Sequence, residues 1–178
     1  MRRSMQLGYA YMLEKARAAG DKPAIKELEN IGPPPYDGVD KVDVHFKWLG
    51  RYEAESDRVA ESSLLARLIF VAPNYSLRDI CYRNRGFSQI PTWRLYQEML
   101  NTNLASLGTD FREPIFFFQG TEDEVTATTL AKEYFDEINA QRKKFVAFKG
   151  VGHFALWNMP DKFLQELIAR VRPLATQP

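Results

Sequence analysis

Two histidines and a single cysteine, Cys81, stand among 178 residues. One cysteine excludes an internal disulfide and fits a reducing compartment. With only His45 and His153 beside it, no convincing metal-ligand set can be assembled, and no cofactor is expected. No apolar run is long enough to cross a bilayer. Lys and Arg number 24 and Asp and Glu 23, spread along the chain. Without a basic stripe or an acidic tail, neither nucleic acid nor a membrane is an expected partner. The opening MRRSMQLGYAYMLEKA is charged but lacks an apolar core followed by a small-residue cleavage site, so it reads as structure rather than a secretory signal. Repeats and low-complexity segments are missing too. What remains is the expectation of a cytoplasmic globular chain of one-domain size, 45% hydrophobic and so able to build a core.

The pattern divides in two. Residues 1–108 read as mostly helical. Ser4 can cap a helix through Leu7, Met12 and Leu13 to Ala19, and Gly20 supplies a left-handed stop. Asp21 opens a second helix with Ile25 and Leu28, ending at Asn30–Gly32 before Pro33, Pro34 and Pro35. The two form an αα-hairpin. Asp40 or Asp43 can cap a third helix that carries Phe46 and Trp48. An apolar helical pattern follows from about Ser62 to Phe70; Pro73 breaks it, and Ser76 or Leu77 restarts it. A helix from Pro91–Thr92 sets Trp93, Tyr96, Met99 and Leu100 on one face. Such stripes are core faces far more often than cofactor boxes.

Residues 109–178 alternate strand and helix. Pro114 precedes the continuous run Ile115-Phe116-Phe117-Phe118, which suits a strand buried on both faces of a parallel sheet. Thr128 to Ala140 reads as an amphipathic helix with Leu130, Tyr134, Phe135 and Ile138 inward. Lys144-Phe145-Val146-Ala147-Phe148 alternates like a second strand. Asp161 can cap a last helix through Phe163, Leu164, Leu167, Ile168 and Val171, and Pro173 ends it. Strand–helix–strand–helix at these lengths predicts parallel strands. The fold class is therefore α/β.

Catalytic groups in open α/β sheets gather at the carboxyl ends of the strands. Asp123 follows the first strand and His153 the second. Parallel neighbours bring both ends to one edge, so the two can meet although thirty positions separate them. A carboxylate facing an imidazole fixes its tautomer and stabilises the imidazolium formed in acyl transfer. Gly150 and Gly152 would let the loop turn and bring the ring in. Each residue alone has a plainer reading: an Asp after a strand is commonly a turn or cap residue, and a His after Gly is often structural. Glu122 and Glu124 could stand in as the acid, but position favours Asp123. His45, on an apolar helical stretch, reads as a partly buried structural residue.

The runs P-I-F-F-F-Q-G-T-E-D (114–123) and K-G-V-G-H-F-A (149–155), the latter followed by P-D-K-F-L (160–164), resemble the acid and histidine loops of the α/β-hydrolase fold. L-G-Y-A-Y-M-L-E-K-A-R-A-A-G-D (7–21) and L-E-N-I-G-P-P-P-Y (28–36) are similar to the cap region of its proline iminopeptidase-like serine hydrolases. The resemblance implies a helical cap (1–108) followed by the C-terminal strands and helices of an α/β-hydrolase parallel sheet (109–178), an incomplete fold. Asp123 matches the family's triad acid and His153 its triad histidine, in the family's Ser…Asp…His order. It further implies cofactor-free hydrolysis of a peptide or small-molecule ester or amide, with Trp48, Trp93 or Trp157 as candidate pocket walls.

The family's G-x-S-x-G nucleophile elbow and its His-Gly-Gly-Gly oxyanion loop occur nowhere in these residues. Cys81, beside Arg83 and Arg85, could have a lowered thiol pKa, but it lies in the cap and reads as a packing cysteine. Ser62, Ser63, Ser76, Ser88 and Ser106 lack the elbow's glycines. The expectation is a C-terminal fragment of a serine aminopeptidase or esterase, inactive alone. The alternatives are half of a split enzyme that works with an N-terminal partner chain, and a noncatalytic module binding a partner or a second copy through its cap or an exposed sheet edge.

Overall fold

The computed structural model describes residues 1–53 and 91–175. The helices expected between Ser62 and Leu77, together with Cys81, Ser62, Ser63, Ser76 and Ser88, lie outside the described residues. Among those described, the fold is mixed α/β with two small parallel sheets. No helix among them is long and apolar enough to cross a membrane.

Three helices open the chain: α1 (Arg2–Ala19), α2 (Lys22–Ile31) and α3 (Val39–Tyr52). Local chemistry sets their boundaries. Gly20 ends α1 in the left-handed conformation, at φ 64° and ψ 26°, which only glycine adopts without a steric cost. The Asp21 carboxylate accepts the Ala24 N–H at 3.2 Å and caps α2. Met12, Ala16, Ala24, Leu28, Trp48 and Leu49 interlock between the three helices as the first core. The next helix among the described residues, α4 (Pro91–Asn101), closes a second core in which Met5, Tyr36, Val42, Tyr96 and Leu100 meet. Met99, expected on that face, is exposed. It lies one position, about 100° of helical turn, away from Leu100.

Three expected caps are corrected. Ser4 lies inside α1, whose N-cap is Met1, and its hydroxyl is used elsewhere. Neither Asp40 nor Asp43 caps α3: Gly38 holds the N-cap and Asp40 sits in the first turn. Asp161 also sits in a first turn, that of α7 (Pro160–Arg170). Proline prefers the N1 position because it has no N–H to satisfy, and Pro160 there makes Met159 the N-cap. The helix ends at Arg170 with Val171 as its C-cap, ahead of Pro173.

The second half begins with β1 (Asp110–Phe111) and β2 (Ile115–Gly120). Helix α5 (Thr128–Glu137), β3 (Asn139–Ala140) and β4 (Lys143–Phe148) follow. Short helices α6 (Ala155–Asn158) and α8 (Arg172–Ala175) flank α7. β2 and β4 are parallel, in register from Ile115 opposite Lys143 to Gly120 opposite Phe148. β1 and β3 extend the same two segments as a second parallel ladder. Helix α5 therefore stops at Glu137, and the expected helical residues Asn139 and Ala140 pair as strand instead.

Aromatic rings pack on both sides of β2 and β4. Phe117 and Phe145 meet Phe135 of α5, each at a ring-centroid distance of 5.4 Å. Phe118 and Phe148 meet Phe163 of α7, at 5.1 and 5.6 Å. The third core, Val146, Phe148, Val151 and Ala155, lies on this second side. Burial is thinner than the sequence suggests. Ile115 through Gln119 are half-buried, and Leu164 and Ile168 of α7 are exposed. Among the described residues β2 pairs only with β4, so the sheet gives the α7 stripe little width to cover.

Candidate functional site

Both sequence-predicted residues leave the carboxyl ends of the parallel pair. β2 ends at Gly120 and Asp123 follows; β4 ends at Phe148 and His153 follows. The loops that carry them are laced together. Thr121 N–H donates to Phe148 O at 2.9 Å, Glu122 N–H to Val151 O at 3.0 Å, and Gly150 N–H to the Thr121 hydroxyl at 3.0 Å. Gly150 turns the histidine loop with φ 74°. Gly152 acts differently from expectation, since it is not among the positive-φ glycines. Its carbonyl instead presses against β2: a Cβ at Gly120 would lie 2.0 Å from Gly152 O and 2.4 Å from Val151 O. Gly120 is thus the residue whose missing side chain lets the histidine loop close onto the strand.

That closure places His153 Nδ1 3.0 Å from Asp123 Oδ2. The acid is 4% exposed at its side chain and the imidazole 37%, so the carboxylate is enclosed while the ring still meets solvent. Asp123 accepts three further hydrogen bonds: Thr126 N–H to Oδ1 at 2.8 Å, the Thr126 hydroxyl to Oδ2 at 2.8 Å, and the Gln119 amide to Oδ2 at 2.7 Å. An ionised carboxylate offers about four acceptor positions, whereas a protonated one must donate. Three donors independent of the ring, the Thr126 N–H, the Thr126 hydroxyl and the Gln119 amide, therefore favour the anion. Burial acts to raise the Asp123 pKa. The His153 bond, the Thr126 backbone and hydroxyl bonds and the charge on His153 act against it, and the net direction is downward.

An anion at Oδ2 selects the histidine tautomer. The proton resides on Nδ1, facing Asp123, and Nε2 carries the basic lone pair. Such a ring can take a proton at Nε2 while the buried anion stabilises the resulting imidazolium.

Thr126 and Gln119 escape the sequence reading. The three-residue spacing of Asp123 and Thr126 is that of a capping carboxylate that accepts the N–H of the third residue on, and it could have pointed to the backbone bond. Nothing in the sequence pattern flags Gln119, which reaches Asp123 from within β2.

Other candidates fall elsewhere. Glu122 is exposed. Glu124 has its pKa raised by burial and by the Asp123 charge, with Lys15 opposing. Ser106 is exposed, and its hydroxyl bonds Asn103 O at 2.7 Å. His45 is 1% exposed, with Nδ1 2.8 Å from the Tyr36 hydroxyl. Trp48 belongs to the first core: it is buried, stacks on Tyr52, and its indole N–H meets Glu27 at 2.9 Å. Trp93 stacks on Tyr96. Trp157, in α6 beyond the histidine loop, is 48% exposed. No His, Cys, Asp and Glu cluster suited to a metal ion occurs among the described residues.

No protein-family model, curated protein or solved structure matches the chain.

Proposed function

We propose that this chain supplies the acid and the base of a hydrolytic acyl-transfer site in an α/β-hydrolase fold, and that the nucleophile comes from a segment outside these 178 residues. The observation that carries the reading is the buried Asp123 carboxylate, held by three donors from Gln119 and Thr126, with the more exposed His153 ring 3.0 Å away at the carboxyl ends of two parallel strands. The order of acid and histidine, and the similarity of residues 7–21 and 28–36 to a proline iminopeptidase-like cap, favour a serine aminopeptidase or esterase. Its substrate class is then a peptide with a proline or small N-terminal residue, or a small ester.

In this mechanism a serine hydroxyl on a strand-to-helix elbow gives its proton to His153 Nε2 as its oxygen attacks the carbonyl carbon. The C–O bond forms, and the carbonyl electrons move onto oxygen. Asp123 stabilises the imidazolium without taking its proton. His153 then returns the proton to the departing amine or alcohol as the acyl–leaving-group bond breaks. Water repeats the sequence on the acyl-serine. Alone, the chain turns over neither esters nor aminoacyl anilides, because it has no nucleophile on an elbow. A cytoplasmic setting fits the single cysteine.

Among the described residues β2 pairs on one side only, with β4, which favours a second form of the same reading, in which a separate N-terminal chain completes the sheet. Translating the reading frame upstream of the Met1 codon separates the cases. An in-frame G-x-S-x-G after a strand pattern supports one continuous enzyme. A stop codon with an elbow encoded on a neighbouring frame supports two chains. If no elbow is encoded nearby, the catalytic role of Asp123 and His153 is refuted.

A further inference from the structure

Helix α1 hydrogen-bonds the acid loop through Ser4. Ser4, 7% exposed, donates its hydroxyl proton to Val125 O at 2.8 Å and accepts the Ala127 N–H at 3.1 Å. These two backbone groups lie on either side of Thr126, whose N–H and hydroxyl both bond Asp123. A serine hydroxyl has one proton and can accept as well. Ser4 uses both capacities on the loop and none on capping its own helix.

The helix that holds Ser4 is itself fixed. Met5 and Met12 are buried in two different cores, Arg2 donates to Leu100 O at 3.1 Å, and Arg3 pairs with Glu133 of α5 at 2.9 Å. Thr126 itself is exposed, and the other bonds around it run within the strand and loop that carry Asp123: the Gln119 amide donates to Thr126 O at 3.1 Å and the Thr128 hydroxyl to Gly120 O at 2.6 Å. Ser4 closes that loop from outside, with bonds spanning more than 120 positions of sequence.

We infer that Ser4 is a positioning residue for the Asp123–His153 pair: it holds Val125 and Ala127 so that Thr126 keeps the carboxylate aimed at Nδ1. This rests on the functional reading above. It also means that the helical region takes part in setting the geometry of the acid.

The test uses the whole chain, with ¹⁵N NMR of the imidazole nitrogens reporting the His153 tautomer and thermal unfolding run in parallel. Ser4→Ala should fold and lower the ratio of Nδ1–H to Nε2–H tautomer of His153 by about two- to tenfold, the range a lost hydrogen bond spans. Ser4→Thr, which keeps the hydroxyl, should restore it. Ser4→Cys keeps the volume with a poor donor and acceptor, and it replaces Ser4→Ala if that variant does not fold. An unchanged tautomer ratio in a folded Ser4→Ala or Ser4→Cys chain overturns the inference. So does failure of both to fold, which would make Ser4 a residue of the fold alone. Asp123→Asn is the internal control: if it too leaves the ratio unchanged, the acid–histidine pair itself fails, not the role of Ser4.

Discussion

Acidification should weaken this protein through His45 before it disturbs Asp123. His45 is almost completely enclosed, packed edge-on to Tyr36 and Phe46, and bonded through Nδ1 to the Tyr36 hydroxyl at 2.8 Å. Burial pushes its pKa down from 6.5 to about 4. In the unfolded chain the same ring titrates near 6.5. Between these values the unfolded state binds the proton and the folded state does not. Stability is therefore full above about pH 6.5 and falls as the pH drops toward 4. The difference between the two values corresponds to roughly 3 kcal/mol at 1.36 kcal/mol per pH unit, a large part of the 5–15 kcal/mol typical of a folded domain.

Two other groups act over neighbouring ranges. Asp123, whose pKa is lowered from 3.8, loses its contribution as the pH falls through and below that value. Glu124, raised from 4.5 by burial, acts in the opposite direction, its penalty easing as acid protonates it. A difference measurement removes both. Urea midpoints of the parent chain and of His45→Asn, taken at half-unit steps from pH 7.5 to 4.5, should converge as the pH falls. The variant begins less stable, through lost volume, and it lacks the steep decline. Parallel curves for the two chains would refute the placement of His45 as a buried neutral ring.

Two glycines should answer oppositely to alanine. At Gly8, inside α1, a methyl would meet Glu124 O, His45 Nε2 and Leu49 Cδ1 at 3.5–3.6 Å, ordinary contact distances. Gly8→Ala should therefore raise stability by about 0.5–1 kcal/mol, the helical preference of alanine over glycine; a lower urea midpoint would contradict this. At Gly120 the methyl meets backbone oxygen at 2.0 Å, so Gly120→Ala should cost about 1–3 kcal/mol. It should also shift the His153 ring resonances by pushing the histidine loop off β2, and unchanged resonances would show that the close approach is not what seats the ring.

What the sequence made legible follows the range of the forces involved. Gly20, Asp21 and Gly32 punctuate the first hairpin through bonds within a few residues of themselves, and their roles could be read directly. Asp123 and His153 could be placed together because parallel pairing alone brings two strand ends to one edge. Ser4, Asp40 and Asp161 all look like caps in isolation. Ser4 was misread because a loop 120 positions away competes for its hydroxyl. Asp161 was displaced by the stronger N1 preference of Pro160. The donors that hold Asp123 were largely hidden, since Gln119 is pointed at it by strand geometry that no local pattern encodes. The exposure of Leu164 and Ile168 was hidden as well, because a helical stripe reveals an apolar face but not how wide a sheet lies beneath it.

We propose that His153 acts as the base for a nucleophile that another segment provides. The most direct test is turnover of an aminoacyl p-nitroanilide and a p-nitrophenyl ester by these residues joined to, or mixed with, the elbow-bearing segment. No turnover above background is expected without that segment, and steady turnover with it. His153→Ala should then lower kcat by on the order of 10⁶-fold and Asp123→Asn by on the order of 10⁴-fold. Turnover that survives His153→Ala, or steady turnover by the 178 residues alone, would contradict the proposal.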